Sequence, residues 1–382
     1  MNLFLTQKNE SGLQSAFLIQ ALNSFIWGVM YIMLPMLMLE RKISIESMGL
    51  IFAVLPIIFQ INRIIFGIIS DYAGRKNFFW LNGITNIISL ITYYLAQNPL
   101  GFLIGKTSEA IKEASIWSVN RAYLLDHNSQ ENDEKALVNL RSIVYITYAI
   151  GILIAGFLIT RLLYGKTLIL LMVLSLLIFP NLNKLIDKNK KELSVLSIIN
   201  FLNFSNKSKK FKKFFWLFFI SGFYYGLSSG YIFPLFLKEA NLTIENIGLV
   251  IGIQTLLGGL AIHLFRSYGK GKDKLLIGGL LSSLGLILIS FAPHNYLFLV
   301  FILTGIFMGL SDVGGETIFI EAADEQSLAG DIGILMIGIN VGTSLTQAVS
   351  GFIISSFGFP VLFLGAAIFN LIFTVIAFRN MK

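Results

Sequence analysis

The chain has 382 residues, of which 55% are hydrophobic and only 13% charged, with a mean hydropathy of +0.76. Soluble domains carry roughly 25% charged residues, so most of this chain avoids water. The net charge of +8 sits in one stretch, residues 184–213, and in short loops, which points to membrane topology and away from nucleic acid. The absence of cysteine excludes disulfides, thiolate metal sites and cysteine nucleophiles.

Residues 1–15 are polar and the first apolar run is too long for a signal core, so it reads as a first helix and not a cleaved leader. Apolar runs near 20 residues, the length that crosses a bilayer as a helix, follow in order. The first six are expected at about 16–39, 48–70, 78–97, 100–126, 136–160 and 165–181. The second six are expected at about 214–237, 247–265, 275–293, 296–321, 330–355 and 359–378. The expected domains are therefore a six-helix bundle over 1–181, a basic linker over 182–213 and a second bundle over 214–382. The positive-inside rule puts both termini in the cytoplasm, since the reverse would strand Lys207, Lys209, Lys210, Lys212 and Lys213 outside. The middle of the linker, Leu193 to Phe204, reads equally as a short surface helix or as a solvated tether.

The halves resemble each other. ISIESMGL at Ile43–Leu50 parallels LTIENIGL at Leu242–Leu249, an offset of 199. Gly74-Arg75-Lys76 parallels Gly269-Lys270-Gly271 at an offset of 195, which also relates Asp126 to Glu321. A short deletion in the eighth span accounts for the change. Parallel six-helix repeats are a recurring transporter design.

Between spans 2 and 3 the chain reads Gly67-Ile-Ile-Ser-Asp71-Tyr-Ala-Gly74-Arg75-Lys76. Gly67 permits close helix packing, Gly74 a tight turn, and Asp71 and Arg75 stand at the membrane edge, suited to a helix N-terminus and to a second carboxylate. This run resembles the signature loop of the major facilitator superfamily, with Tyr72 where many members carry a basic residue. The resemblance implies an all-α membrane protein of twelve transmembrane helices in two pseudo-symmetric six-helix bundles. It also implies a cytoplasmic gate in which Asp71 faces the start of span 11, around Gly330 to Gly333, and Arg75 bridges Asp71 to Asp126. In the second half the corresponding gate residues are Arg266, Lys270 and Glu321. The family's span 4 pattern has Lys106 and Ala110 where arginine and glycine are usual, and its span 5 pattern is reduced to Gly151 and Gly156 without proline.

An ionisable residue in mid-membrane costs roughly 2.5–3.5 kcal/mol, so it normally faces a cavity or a partner. Span 4 carries Lys106, Glu109, Lys112, Glu113 and Arg121; at 100° per residue most of them share one face with Trp117 and Asn120, and Lys112 lies to one side. Lys106 and Lys112 can neutralise Glu109 and Glu113 locally. Span 10 carries Asp312 and Glu316 one turn apart. Spans 1 and 7 have polar stripes (Gln20, Asn23, Ser24, Trp27 and Tyr31; Ser221, Tyr224, Tyr225 and Ser228), and span 11 adds Asn340. In the family spans 1, 4, 7 and 10 line the cavity, which makes Trp27, Tyr31, Glu109, Glu113, Tyr224, Asp312 and Glu316 the expected cavity residues, with Asn340 of span 11 added to them. Glu113, Asp312 and Glu316 are the expected proton carriers, because burial raises a carboxyl's pKa. The glycine pairs 222/226, 305/309 and 338/342 read as helix packing.

No phosphate-binding loop, clustered metal ligands or catalytic constellation is visible, so neither a cofactor, an ATP-driven pump nor an enzyme is expected. The expected function is a secondary transporter, working as a single subunit in the cytoplasmic membrane, that rocks its halves about a central site. A proton-coupled exporter of an organic cation or amphipathic compound and an importer or exchanger of an anionic or zwitterionic metabolite both fit. A receptor or scaffold that has kept the fold and lost transport is the rival from another class.

Overall fold

The computed structural model describes residues 2–127, 133–187, 204, 207–265, 267, 269–323 and 328–381. They are almost entirely helical. In order come α1 (Asn2–Glu40), α2 (Ile45–Ala73), α3 (Lys76–Leu95), α4 (Pro99–His127), α5 (Asp133–Leu176) and α6 (Ile178–Leu182). Then follow α7 (Lys209–Ser228), α8 (Ile232–Glu239), α9 (Ile244–Phe265), α10 (Gly271–Phe291), α11 (Leu297–Ala322) and α12 (Leu328–Asn380).

Among the described residues, eight helical stretches are long and apolar enough to cross a membrane. Two of them, Leu137–Leu182 and Asp331–Asn380, run to 46 and 50 residues, and each is broken by one residue of positive φ, Leu163 and Gly358. Each therefore holds two spans, which makes ten. The other two of the expected twelve fall on α4, whose buried charges lower its hydropathy, and on the α7–α8 pair, and neither of these is among the eight. Span 7 departs from the single helix expected: it breaks at Ser229 and Gly230, where φ of Gly230 is +69°. Two serines and a glycine in a row are weak helix formers, and Pro234 favours a fresh helix start just before it. Helix α1 also begins earlier than the hydropathy suggests, since nothing in its polar first residues breaks a helix. The middle of the linker, read equally as a surface helix or a tether, lies outside the described residues apart from Phe204.

The internal repeat is visible in backbone detail. Lys42 and Asn241 both take left-handed conformations, with φ of 55° and 64°. Ile43 N–H donates to the Met38 carbonyl at 2.9 Å and Leu242 N–H to the Leu237 carbonyl at 3.1 Å, the same helix-ending motif at an offset of 199. Ser44 and Thr243 then cap the next helices, accepting from Ser47 N–H and Asn246 N–H, each at 3.3 Å. At an offset of 195, Gly74 and Gly269 share positive φ, as do Leu163 and Gly358. Between these two sets α2 runs 29 residues and α9 only 22, so the missing turn lies in α9.

The helices sort into two compact units, residues 1–33 with 58–195, and residues 34–57 with 196–382. Residues 34–57 thus pack with the second unit, a grouping that the hydropathy pattern does not carry. In the first unit α1 and α5 meet at Gly28 and Gly151: a Cβ at Gly28 would lie 2.2 Å from the Tyr148 carbonyl oxygen, and one at Gly151 2.3 Å from that of Phe25. A core of Ile19, Phe79, Ile116, Tyr123 and Leu182 fills the signature-loop end, and Asn86 donates to Ser175 at 3.0 Å to tie α3 to α5. In the second unit Gly222 and Gly342 bring α7 against α12 in the same way, and Gly305, Gly309 and Gly338 also press on neighbouring backbone. The glycine pairs are packing devices, as read from the sequence. Asn370 donates to Ser283 at 2.9 Å across α12 and α10. Asn370 stands 195 residues after Ser175, so the amide and hydroxyl have exchanged sides between the repeats. The α1–α2 turn is held in this unit by Ser344, which donates to the Ala53 carbonyl at 2.6 Å, and by Phe52, 5.0 Å from the Tyr231 ring.

Candidate functional site

The signature turn is built around Arg75. Its guanidinium lies 2.9 Å from Asp71, donates to Asp126, and reaches the Ser70 hydroxyl at 3.4 Å. Gly74 makes the turn with φ of +91°, and an added Cβ there would lie 2.5 Å from an Asp187 carboxylate oxygen. Glycine is required twice over, for its conformation and for its missing side chain. Asp187 in turn accepts the Lys76 N–H at 2.9 Å and so caps the start of α3. Tyr123 accepts the Ile186 N–H at 3.2 Å, which fastens the same strand of chain to α4. No sequence pattern pointed to Asp187, because it lies 111 residues from its partner. Gly67 does not do what was expected of it: a Cβ there meets open space, and its carbonyl simply accepts from Ser70 at 2.9 Å.

In the second unit Glu321 is paired with Lys210 at 2.9 Å, and buried Asp331 with Lys207. Lys210 lies in the first turn of α7 and Lys207 two residues before that helix; both entered the sequence analysis only as a topology signal. Lys270 is exposed at the N-terminus of α10; Arg266 lies outside the described residues.

Helix α4 holds the charged layer of the first unit. Lys106, Glu109, Lys112 and Glu113 are each no more than 6% exposed. Lys106 sits 3.1 Å from both Glu109 oxygens, and the Tyr93 hydroxyl donates to Glu109 at 2.5 Å. Lys112 lies 2.7 Å from Glu113. That contact is an ion pair without good hydrogen-bond geometry, and the same Glu113 oxygen has no hydrogen-bond partner. Neighbouring side chains leave a helix about 100° apart, so Lys112 must fold sideways to reach Glu113, which explains both the poor angle and its position off the polar face. The other Glu113 oxygen accepts from the Trp117 indole at 3.1 Å.

Around this layer Trp27 lies 4.5 Å and Tyr31 6.1 Å, ring to ring, from Tyr148 of α5. Tyr148 is within electrostatic reach of Glu109 and Glu113, and a lone tyrosine in an apolar span gave no signal for it. The upper polar stripe of α1 is structural: Gln20 accepts from Asn120 at 2.7 Å, and Asn23 donates to Asn82 at 2.8 Å. In the second unit Tyr225 donates to Asp312 at 3.3 Å, and the Tyr224 ring lies 4.9 Å from that of Tyr225, tilted by 53°. Glu316 is exposed one turn further on, and Asn340 is half-buried.

A family model described as Major Facilitator Superfamily matches residues 16–272 and 263–381. An uncharacterized MFS-type transporter of Methanocaldococcus jannaschii is 23% identical over 351 residues, covering 88% of this chain and 89% of its own. Among solved structures, a mutant of the nucleoside transporter NupG aligns with a TM-score of 0.79 at 15% identity, over 97% of this chain and all of that one. A bacterial homolog of the human lysosomal transporter Spinster, inward-facing and unoccupied, aligns with a TM-score of 0.76 at 14% identity, over 98% and 97%. Matched by the family model along nearly its whole length, and sharing this fold, the chain belongs to the major facilitator superfamily.

Proposed function

We propose that this chain is a secondary active transporter that carries a small organic solute across the cytoplasmic membrane by alternating access, as a single subunit with both termini in the cytoplasm. The observation that carries the reading is the charged layer of α4. Four ionisable side chains are buried on one apolar span, at a cost of roughly 2.5–3.5 kcal/mol each if unpaired. A scaffold has no use for such a layer, whereas a carrier that rearranges its ion pairs around a solute does.

Proton coupling is assigned to Glu113, Asp312 and Glu316. Glu113 is the carboxylate of α4 whose ion pair is least well formed. Asp312 receives a tyrosine hydroxyl, and Glu316 is open to solvent. The gate of Asp71, Arg75 and Asp126 stabilises the outward-facing state, with Lys207 and Lys210 holding the equivalent ends of the second half.

An organic cation needs free carboxylates. Two of the four cavity carboxylates, Glu109 and Glu113, are occupied by lysines. Export of an organic cation would therefore have to engage Asp312 and Glu316, and uptake or exchange of an anionic or zwitterionic solute is the second reading. The test is a set of proteoliposomes with an internal pH dye, challenged with solutes of each charge. Proton flux triggered by a solute and abolished by Asp312→Asn supports coupling through α11. Solute movement without proton flux would make the chain a uniporter or exchanger.

A further inference from the structure

The lysines around the start of α7 divide between two directions. Lys207 and Lys210 turn to the unit's own carboxylates, Asp331 and Glu321. Lys209 and Lys213 are exposed, one turn apart, and exposed Trp216 follows on the same face one turn deeper. That face meets the end of α12, where Lys213 donates to the Asn380 side chain at 2.5 Å. From α10, its second residue Lys272 brings an ammonium 4.8 Å from the Phe378 ring. Arg379 stands between these two contacts and is exposed. Successive residues of a helix point about 100° apart. Phe378 and Asn380 therefore leave α12 on either side of Arg379, and Lys272 and Lys213 flank it.

Among the described residues, none of Lys209, Lys213, Lys272 and Arg379 is paired with a carboxylate; the nearest acid along the chain is the exposed Asp273. Three like charges gathered on three consecutive residues of α12 repel one another, and an anion between them offsets that repulsion. The surface beneath them faces lipid. Ile368 and Ile372 are 55% and 39% exposed within the apolar stretch that ends at Asn380. Both lie within about 20° of Arg379 around the helix. Arg379 thus ends a lipid-facing stripe, and Lys213 stands one turn above Trp216, an aromatic type that settles at headgroup level. Topology alone does not call for this cluster, because the positive-inside rule counts charges and does not require them to converge. The repeat counterpart of Lys272, 195 residues earlier, is Asn77, which turns back to the Ala73 carbonyl at 2.9 Å.

We propose that this end of the second unit carries a binding site for an anionic phospholipid, its phosphate seated among Lys213, Lys272 and Arg379. Arg379 offers the planar fork that suits two phosphate oxygens, and the lysines act as point charges at its sides. Lys209 adds to the field from the rim. The glycerol part of the lipid lies against Trp216, and the acyl chains run along Ile372 and Ile368. A lipid so placed bridges α7, α10 and α12 at the same end as the Lys207–Asp331 and Lys210–Glu321 pairs. The site does not depend on which solute the protein carries.

The test is quenching of tryptophan fluorescence in the full-length protein, reconstituted into phosphatidylcholine vesicles that hold a dibrominated lipid. Bromine quenches an indole only at close range, so Trp216 reports lipid at this site and Trp80, exposed on α3, reports bulk lipid. At equal mole fraction, dibrominated phosphatidylglycerol is expected to quench more than dibrominated phosphatidylcholine, and Trp216→Phe to remove the excess. Arg379→Gln and Lys272→Gln are each expected to lower the preference for the anionic lipid by about five-fold. Arg379→Lys keeps the charge and is expected to keep most of the preference, while unchanged quenching of Trp80 shows that each variant is folded. Glycerol 3-phosphate in the buffer is expected to leave the excess as it is. Equal quenching by the two lipids, or an excess that survives Trp216→Phe or both glutamine substitutions, would overturn the proposal. So would an excess abolished by glycerol 3-phosphate, which would make this a site for a soluble phosphate.

Discussion

Lys106 and Glu109 neutralise each other in a setting where neither charge is tolerable alone, and Tyr93 completes the carboxylate's coordination. Removing one partner of such a buried pair leaves an uncompensated charge, which costs about 3–5 kcal/mol. Lys106→Met is therefore expected to lower the melting temperature sharply in detergent, and Lys106→Met with Glu109→Leu to recover most of the loss. Equal melting of the single and double variants would show that the pair contributes nothing. At this scale the sequence was only partly legible. The spacing of charges along α4 revealed the layer and the neutralisation of Glu109 and Glu113, because those partners are local. Tyr93, Tyr148, Asp187 and Lys210 escaped, since their partners lie far along the chain and no periodicity connects them.

Among the elements, the turn inside α5 is the one under strain. Leu163 has φ of 63° and ψ of 165°, a region that only glycine occupies freely, and its repeat counterpart is Gly358. Its side chain is 67% exposed and has little packing to lose. Leu163→Gly is expected to stabilise the protein by about 1 kcal/mol, read as a higher melting temperature; a lower one would mean that the leucine packs against something that matters. Helix contacts give the opposite case. Gly151→Leu would drive its side chain into the backbone of α1, with an overpacking cost of about 1–3 kcal/mol or more. Gly67→Ala meets open space and is expected to leave melting unchanged. Span positions were readable because hydropathy has the length scale of a bilayer, and the loop matches located the repeat. The break in span 7 was not, because an apolar run looks the same whether its helix is continuous or interrupted. Nor did hydropathy show Gly67 to be unpacked, since a glycine's neighbours are set by the tertiary structure.

For the whole molecule, the two halves carry the same turns and differ in how they pair the residues proposed as the gate. The first uses Arg75 of its own signature turn; the second uses Lys210, in the first turn of α7, and Lys207 just before it. If these contacts set the balance between inward- and outward-facing states, Arg75→Gln should slow solute exchange several-fold while leaving the protein folded, a change of about 1 kcal/mol in that balance. Exchange at the wild-type rate in Arg75→Gln would remove the gate from the mechanism. Family and fold followed from composition, spans, repeat and signature loop together. The solute did not, because the residues that choose it are few and are brought together only by folding.

The central claim is that this chain moves a solute, and counterflow in proteoliposomes measures that without assuming a coupling ion. Vesicles preloaded with an unlabelled solute are diluted into a trace of the labelled compound. Transient accumulation of label, absent from protein-free vesicles, is the predicted result. No accumulation with any solute that the purified protein binds would contradict the account and leave a binding protein on a transporter fold.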